Sequence, residues 1–238
     1  CTDCEAVNFN QWANVDDGSC NYDSDGDGVD DIDELVGCQD SSACDFNAMA
    51  TDEGECVYAE EYFNCDGTPQ IGANYEGGIV FYYDSVSERG LVAAFEDLDD
   101  TYEWGCYDMV VSGANGQIIG TGLQNSLDIL EQNCTTENGG ISAAQATLEF
   151  ESDGYSDWFL PSQDELAELY INLVQDSVNI NSYNFTNNWY WSSFYESYNE
   201  GFGYPNMVGF FYYQYNLNIE PANVSDFSKV RPIRAFGN

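Results

Sequence analysis

Histidine is absent from this chain, and lysine and arginine together number only four. The missing imidazole removes the side chain that most often serves as general base or zinc ligand. Against four bases stand 43 acids, a formal net charge of −39. A surface so negative repels polynucleotides and anionic membranes alike, which argues against a nucleic-acid partner. Its natural counterions are cations, and a salty, calcium-bearing medium would screen its self-repulsion. No apolar run of about twenty residues occurs, so no membrane span is expected. Nor is a signal peptide visible, and the chain is therefore expected to be a mature or trimmed form of an exported protein.

What is present suffices for a folded protein. Of 238 residues, 43% are hydrophobic, with eighteen Tyr, fourteen Phe and five Trp. That supplies a core and argues against global disorder. The nine cysteines lie in spaced groups without paired CxxC motifs. They read as disulfides made in an oxidising compartment, hence an extracellular or cell-surface location.

The chain divides near residue 70. Residues 1–69 hold seven of the nine cysteines, whereas residues 70–238 hold most aromatics and only Cys106 and Cys134. The junction GTPQIG, Gly67 to Gly72, has the Pro and Gly of a linker. Four segments are expected: a Cys-rich repeat (1–22), an acidic loop (23–36), a second repeat (37–69) and a larger domain (70–238).

The two repeats are CTDCEAVNFNQWANVDDGSC, Cys1–Cys20, and CQDSSACDFNAMATDEGEC, Cys38–Cys56. They align after a one-residue deletion, and each is too short to bury a core without a covalent staple. The pattern resembles the short Cys-rich repeats of large surface and secreted proteins of marine Bacteroidota. That resemblance implies Cys1–Cys20 and Cys38–Cys56 pairs, with Cys44 then joined to Cys65. Sequence alone leaves other connectivities open. Cys4 is left over, and Val7 stands where the repeat has its inner Cys. Cys4 is either a local variant that can compete for Cys1 or Cys20, or the site of a bridge to another subunit.

Between the repeats, DSDGDGVDDIDE packs seven acids into twelve residues, Asp23 to Glu34. Carboxylates at Asp23, Asp25 and Asp27, the Val29 carbonyl, Asp31 and a closing Glu34 match the twelve-residue calcium-loop pattern, with Gly28 at the sharp turn. Without a cation, mutual repulsion would force this segment open. Ca2+ is the expected cofactor, in a structural role. No helix pair flanks the loop, which resembles the calcium repeats of thrombospondin type 3 or dockerin modules.

In the larger domain, YEGGIVFYYD and RGLVAAFED predict a hairpin. LQNSLDILEQNC and GGISAAQATLEF predict short helices. PSQDELAELYINLVQD is the strongest helix signal, with a Ser162/Glu165 capping box and an apolar face of Leu166, Leu169, Tyr170, Leu173 and Val174. NWYWSSFY, MVGFFYYQY and KVRPIRAF read as strands. On these residues Trp158 and Leu160 are core, and YWSS (Tyr190–Ser193) is an interior strand. Lys229, Arg231 and Arg234 form either a small anion site or internal pairs with neighbouring acids.

GGIVFYYD, GLVAA, WGC, IGTGLQNS, GYSDWFLPSQDEL, YWSS and VRPIRAF, in this order, resemble the C-terminal domain family of the Legionella collagen-like adhesin. The likeness runs from about Asn74 to Phe236. It implies an α+β, C-type-lectin-like fold, akin also to formylglycine-generating-enzyme domains, and a Cys106–Cys134 disulfide. Members sit on cell surfaces, and the type member binds sulfated polysaccharides, a ligand at odds with the charge of this chain. EPAN (Glu220–Asn223) differs from the Glu-Pro-Asn motif of calcium-dependent lectins by an inserted Ala and carries no weight. Tyr195, Tyr198, Phe202, Tyr204 and Tyr212 are loop aromatics that could stack on a pyranose.

The expectation is a non-enzymatic adhesin: a calcium-stiffened, disulfide-stapled stalk presenting a lectin-like domain to an extracellular glycan or matrix polymer. The alternative is a structural subunit of an extracellular filament, contacting copies of itself. Cys1 also invites a lipoprotein variant, against which its pairing with Cys20 would argue. An oxidase of the formylglycine-generating class would need reactive cysteines or a His-rich metal centre, and this chain offers neither.

Overall fold

The computed structural model describes residues 1–24, 26, 28–175, 183–198, 203–210 and 217–237. The chain forms two compact units, Cys1–Gly67 and Thr68–Asn238, which part inside the GTPQIG junction. The fold is mixed α+β, with few helices, several small sheets and four disulfides.

In the first unit the repeat seen in sequence recurs bond for bond. Ala6 donates to the Asp3 carbonyl, Phe9 to Ala6 and Asn10 to Cys1; Ala43, Phe46 and Asn47 donate likewise to Asp40, Ala43 and Cys38. The Asn10 side chain accepts from the Trp12 amide, as Asn47 does from Met49. Each repeat is closed by its disulfide, Cys1–Cys20 and Cys38–Cys56, and Cys44–Cys65 adds a second staple to the latter. Among the described residues of this unit, the buried side chains are the small ones of Ala6, Cys38 and Ala43. Covalent closure therefore does the work that a core does elsewhere. Strand β1 (Val36–Gly37) runs parallel to β2 (Asp52–Glu53) at the start of the second repeat.

The second unit is built on a four-stranded antiparallel sheet in the order β11–β5–β4–β3. Its strands are β3 (Asn74–Tyr75), β4 (Gly78–Asp84), β5 (Arg89–Ala93) and β11 (Ile233–Phe236). The expected hairpin is the β4–β5 pair. Its two faces serve different cores, as the two-residue period of a strand requires. Ile79, Phe81, Leu91 and Ala93 pack with Leu166, Leu169, Tyr190 and Phe210. Val80 and Val92 pack on the other side with Trp158 and Phe236. Residues 79–81 and 91–93 are unbroken apolar runs because both faces are covered there.

A second sheet has the order β7–β8–β9, from Asn188–Ser197, Gly203–Phe210 and Asn218–Pro221. A short ladder joins β6 (Tyr102–Glu103) to β10 (Phe227–Ser228). The KVRPIRAF segment enters its sheet only at Ile233, since Pro232 has no N–H to donate. Among the described residues the unit also has three α-helices: α1 (Gly122–Glu131), α2 (Ala143–Leu148) and α3 (Gln163–Tyr170). Helix α3 continues as one π turn, Ile171–Gln175. Its capping box is formed, and the five apolar residues expected on its inner face are all buried. Cys106 is joined to Cys134, tying the loop after β6 to the end of α1. No helix among the described residues is long and apolar enough to cross a membrane.

Candidate functional site

The acidic loop closes on itself. The Asp31 amide donates to the Tyr22 carbonyl at 2.7 Å, bringing the two ends of the segment together. Asp23 turns inward, its carboxylate accepting from the amides of Gly26 (2.7 Å) and Gly28 (3.1 Å). Asp31 accepts from the Ser24 amide and hydroxyl, at 2.7 and 2.8 Å. Both glycines have positive φ, 82° and 94°, where a side chain would be strained. The ninth loop position is thus tied to Tyr22 and Ser24, the two neighbours of the first. Asp25 and Asp27 lie outside the described residues, and among the described residues no cluster of three ligands is assembled. The donor set fits a hard cation: carboxylates and a carbonyl at alternate positions, without nitrogen or sulfur.

The structure also places a clasp that sequence reasoning passed over. The Tyr22 hydroxyl donates to Asp3, and Tyr58 donates to Asp40, both at 2.9 Å. Each tyrosine stands two residues beyond the closing cysteine of its repeat, so the signal was legible. The Asp3 carboxyl is held below its ordinary value first by the Glu5 amide and then by Tyr22. That of Asp40 is lowered by the Ser42 amide and hydroxyl and by Tyr58. The phenols move up in return. Tyr22 is therefore anchored immediately before Asp23, which fixes where the acidic loop begins.

Of the loop aromatics, Tyr195 is not at the surface. It is only 3% exposed and stacks on Trp104 at 5.4 Å. Strand β7 runs on to Ser197, and Tyr195, four residues after buried Trp191, packs in the same core cluster. Tyr198 and Tyr204 are 57% and 48% exposed, and their rings meet edge to face at 6.2 Å beside the end of the same ladder. Phe202 and Tyr212 lie outside the described residues. No protein-family model matches the chain, and no curated protein matches it.

The arginines at the C-terminal end are spent internally. Arg231, fully buried, donates from Nε to Asp97 at 2.7 Å and from its other nitrogens to the carbonyls of Ala94, Tyr183 and Asn184. It also lies over the Phe185 ring at 3.9 Å. Arg234 grips Asp157 with two hydrogen bonds, of 2.7 and 3.0 Å, and donates to the Glu76 carbonyl. The Asp157 carboxyl is held below the usual range, chiefly by that contact. Lys229 is half-buried, and its backbone pairs with Trp189 and Trp191. Two of the three bases are thus tied inside the fold. Asp97, which receives Arg231, Tyr190 and Thr186, had no distinguishing mark within the acidic run EDLDD.

The distinctive motifs meet one another in the interior. Asn125 of IGTGLQNS donates to Ser193 of YWSS at 3.1 Å, and the Trp104 indole of WGC donates to the Ser192 carbonyl at 2.9 Å. Glu165 of the PSQDEL segment accepts from the Gly120 and Ser162 amides, at 2.8 and 2.7 Å. Burial pushes its carboxyl up, against the opposing pull of these amides. A Cβ at Gly122 would collide with that carboxylate and with the Ser162 backbone. These residues hold the fold.

Proposed function

We propose that this protein is a non-enzymatic adhesin, secreted or displayed on a cell surface. Its first unit is read as a disulfide-stapled stalk stabilised by Ca2+ at Asp23–Glu34. Its second unit is read as a C-type-lectin-like domain that engages an extracellular glycan or matrix polymer. The observation that carries the reading is the Tyr198–Tyr204 pair: two large, exposed, mutually braced rings at one end of a sheet whose interior is tightly packed. Such rings offer the apolar faces on which pyranose C–H groups stack, with little side-chain entropy to lose. The four disulfides support an oxidising, extracellular setting. A non-catalytic role fits the engagement of Cys106 and Cys134 in a disulfide and of Glu165 with backbone amides.

Residues 23–34 would hold the cation, through Asp23, Asp25, Asp27, Asp31, Glu34 and the Val29 carbonyl. Its contribution would be to offset the repulsion among acids and stiffen the passage between repeats. A glycan array probed with the whole chain, with calcium and with chelator, tests the reading. Binding lost in Tyr198→Ala and Tyr204→Ala supports it, and silence of the wild type in calcium refutes it.

A second reading, a filament or matrix subunit, draws on a different observation. Phe9 and Trp12 in one repeat, and Phe46 and Met49 at the matching positions of the other, are all exposed, Trp12 to 80% and Met49 to 78%. Cys4 is exposed and outside any disulfide. Concentration-dependent assembly, abolished by Trp12→Ser with Met49→Ser and indifferent to sugars, would favour the filament.

A further inference from the structure

Away from Tyr198 and Tyr204, the second unit has a cleft of about 350 Å³ between the β4–β5 hairpin and the start of α1. We infer that this cleft is a subsite for one uncharged pyranose unit, an inference that rests on the adhesin reading. Its size lies at the lower end of small-ligand pockets and suits a single sugar ring. Apolar side chains line one part of it: Tyr82, Leu91, Phe159 and, at 44% exposure near the mouth, Leu123. A pyranose presents an apolar C–H face to such a wall and its hydroxyls to the rim.

The rim supplies the polar half. Asp84 and Arg89 face each other across the hairpin in register, and both line the cleft. Asp84 is held in one orientation by the Val86 amide (3.0 Å) and the Ser87 hydroxyl (2.7 Å), one on each oxygen. A carboxylate oxygen accepts more than one hydrogen bond, so acceptor capacity remains. The guanidinium adds donors in a fixed fork. Adjacent hydroxyls, each able to donate and accept, match a rim that offers both functions. Asp84 and Arg89 offset each other at the rim, and Glu165, the other carboxylate of the lining, is fully buried and engaged with the Gly120 and Ser162 amides. The field of a chain at −39 disfavours an anionic ligand, so the uncharged sugar is the better fit.

The hairpin residues arise from 82–91, the stretch leading into α1 from 119–123 and the remaining wall from 159, 165 and 235, so no contiguous motif announced the cleft.

The test is an amide-resolved NMR titration of the whole chain with the methyl glycosides of glucose, galactose, mannose and N-acetylglucosamine, and with glucuronate as the anionic probe. The expected result is saturable shifts at Gly90, Gly120 and Leu123 with at least one neutral glycoside. At least a tenfold loss of affinity is expected in Arg89→Gln and in Leu123→Glu. Both substitutions are at exposed positions, and an unchanged spectrum elsewhere verifies the fold. No shift at these amides with any neutral glycoside overturns the inference, as does tighter binding of glucuronate. Glycan binding by the array that survives in both variants and depends only on Tyr198 and Tyr204 overturns the cleft and leaves the adhesin reading standing. A silent array in calcium removes the adhesin reading itself.

Discussion

Removing the guanidinium of Arg231 should be the most damaging single change in the second unit. In Arg231→Met the buried Asp97 keeps the Tyr190 and Thr186 hydroxyls but loses its cation. Carbonyls of Ala94, Tyr183 and Asn184 lose their donor at the same time. Breaking one side of a buried ion pair costs about 3–5 kcal/mol, and each orphaned buried acceptor adds roughly 1–3 kcal/mol where water cannot replace the donor. These terms overlap and are not additive, and exposed Asn184 can recruit solvent. A net loss of about 4–6 kcal/mol is expected, a large share of the roughly 5–15 kcal/mol typical of a native protein. At about 2–4 °C per kcal/mol for a unit of this size, Tm should fall by about 10 °C or more. Differential scanning calorimetry of the wild type, Arg231→Met, Asp97→Asn and the double variant reads this directly. The double variant should be less destabilised than the sum of the singles, because the second change removes an already stranded charge. A melt within about 2 °C of wild type for Arg231→Met would refute the reasoning.

Three further outcomes follow. The Asp3 and Asp40 carboxyls titrate below their ordinary value of 3.8, so their clasps stabilise above that pH and are lost as pH falls through the lowered folded values. Tyr22 and Tyr58 titrate above 10.0, so the phenol side of the same clasps is intact below that pH and lost as pH rises through the raised values. Several tyrosines ionise late, and phenolate absorbance should lose one of these steps in Tyr22→Phe and another in Tyr58→Phe; wild-type-like curves for both variants would contradict the clasps. Calcium should protect 23–34 from an acid-specific protease and chelator should expose it, and Asp31→Asn should weaken calcium binding at least tenfold by calorimetry; digestion indifferent to calcium would remove the cation from the stalk. Replacing Cys106 and Cys134 by Ala opens a closure of 28 residues and should cost roughly 3–4 kcal/mol in chemical denaturation; an unchanged midpoint would count against that disulfide.

Much of the architecture was legible because it rests on local rules. The β4–β5 hairpin follows from two apolar runs around a polar turn, and α3 from Ser162, Glu165 and a 3.6-residue apolar stripe. The doubled Cys-rich module needed only a self-comparison of the sequence, and its hydrogen bonds repeat as the residues do. Tyr195 reads as a loop residue in FYESYN, but β7 continues to Ser197 and sets it in the same core cluster as buried Trp191. Composition and spacing by themselves determined the charge, the stapled repeats, the oxygen-rich loop and the division near residue 70, since each is a property of neighbours along the chain. The burial of Arg231 against Asp97, separated by 134 residues, was decided only by tertiary structure. So was the gathering of Tyr82, Arg89, Leu123 and Phe159 around one cleft. Both depend on which long-range pairings close, and no local rule encodes the distance between residues so far apart in sequence.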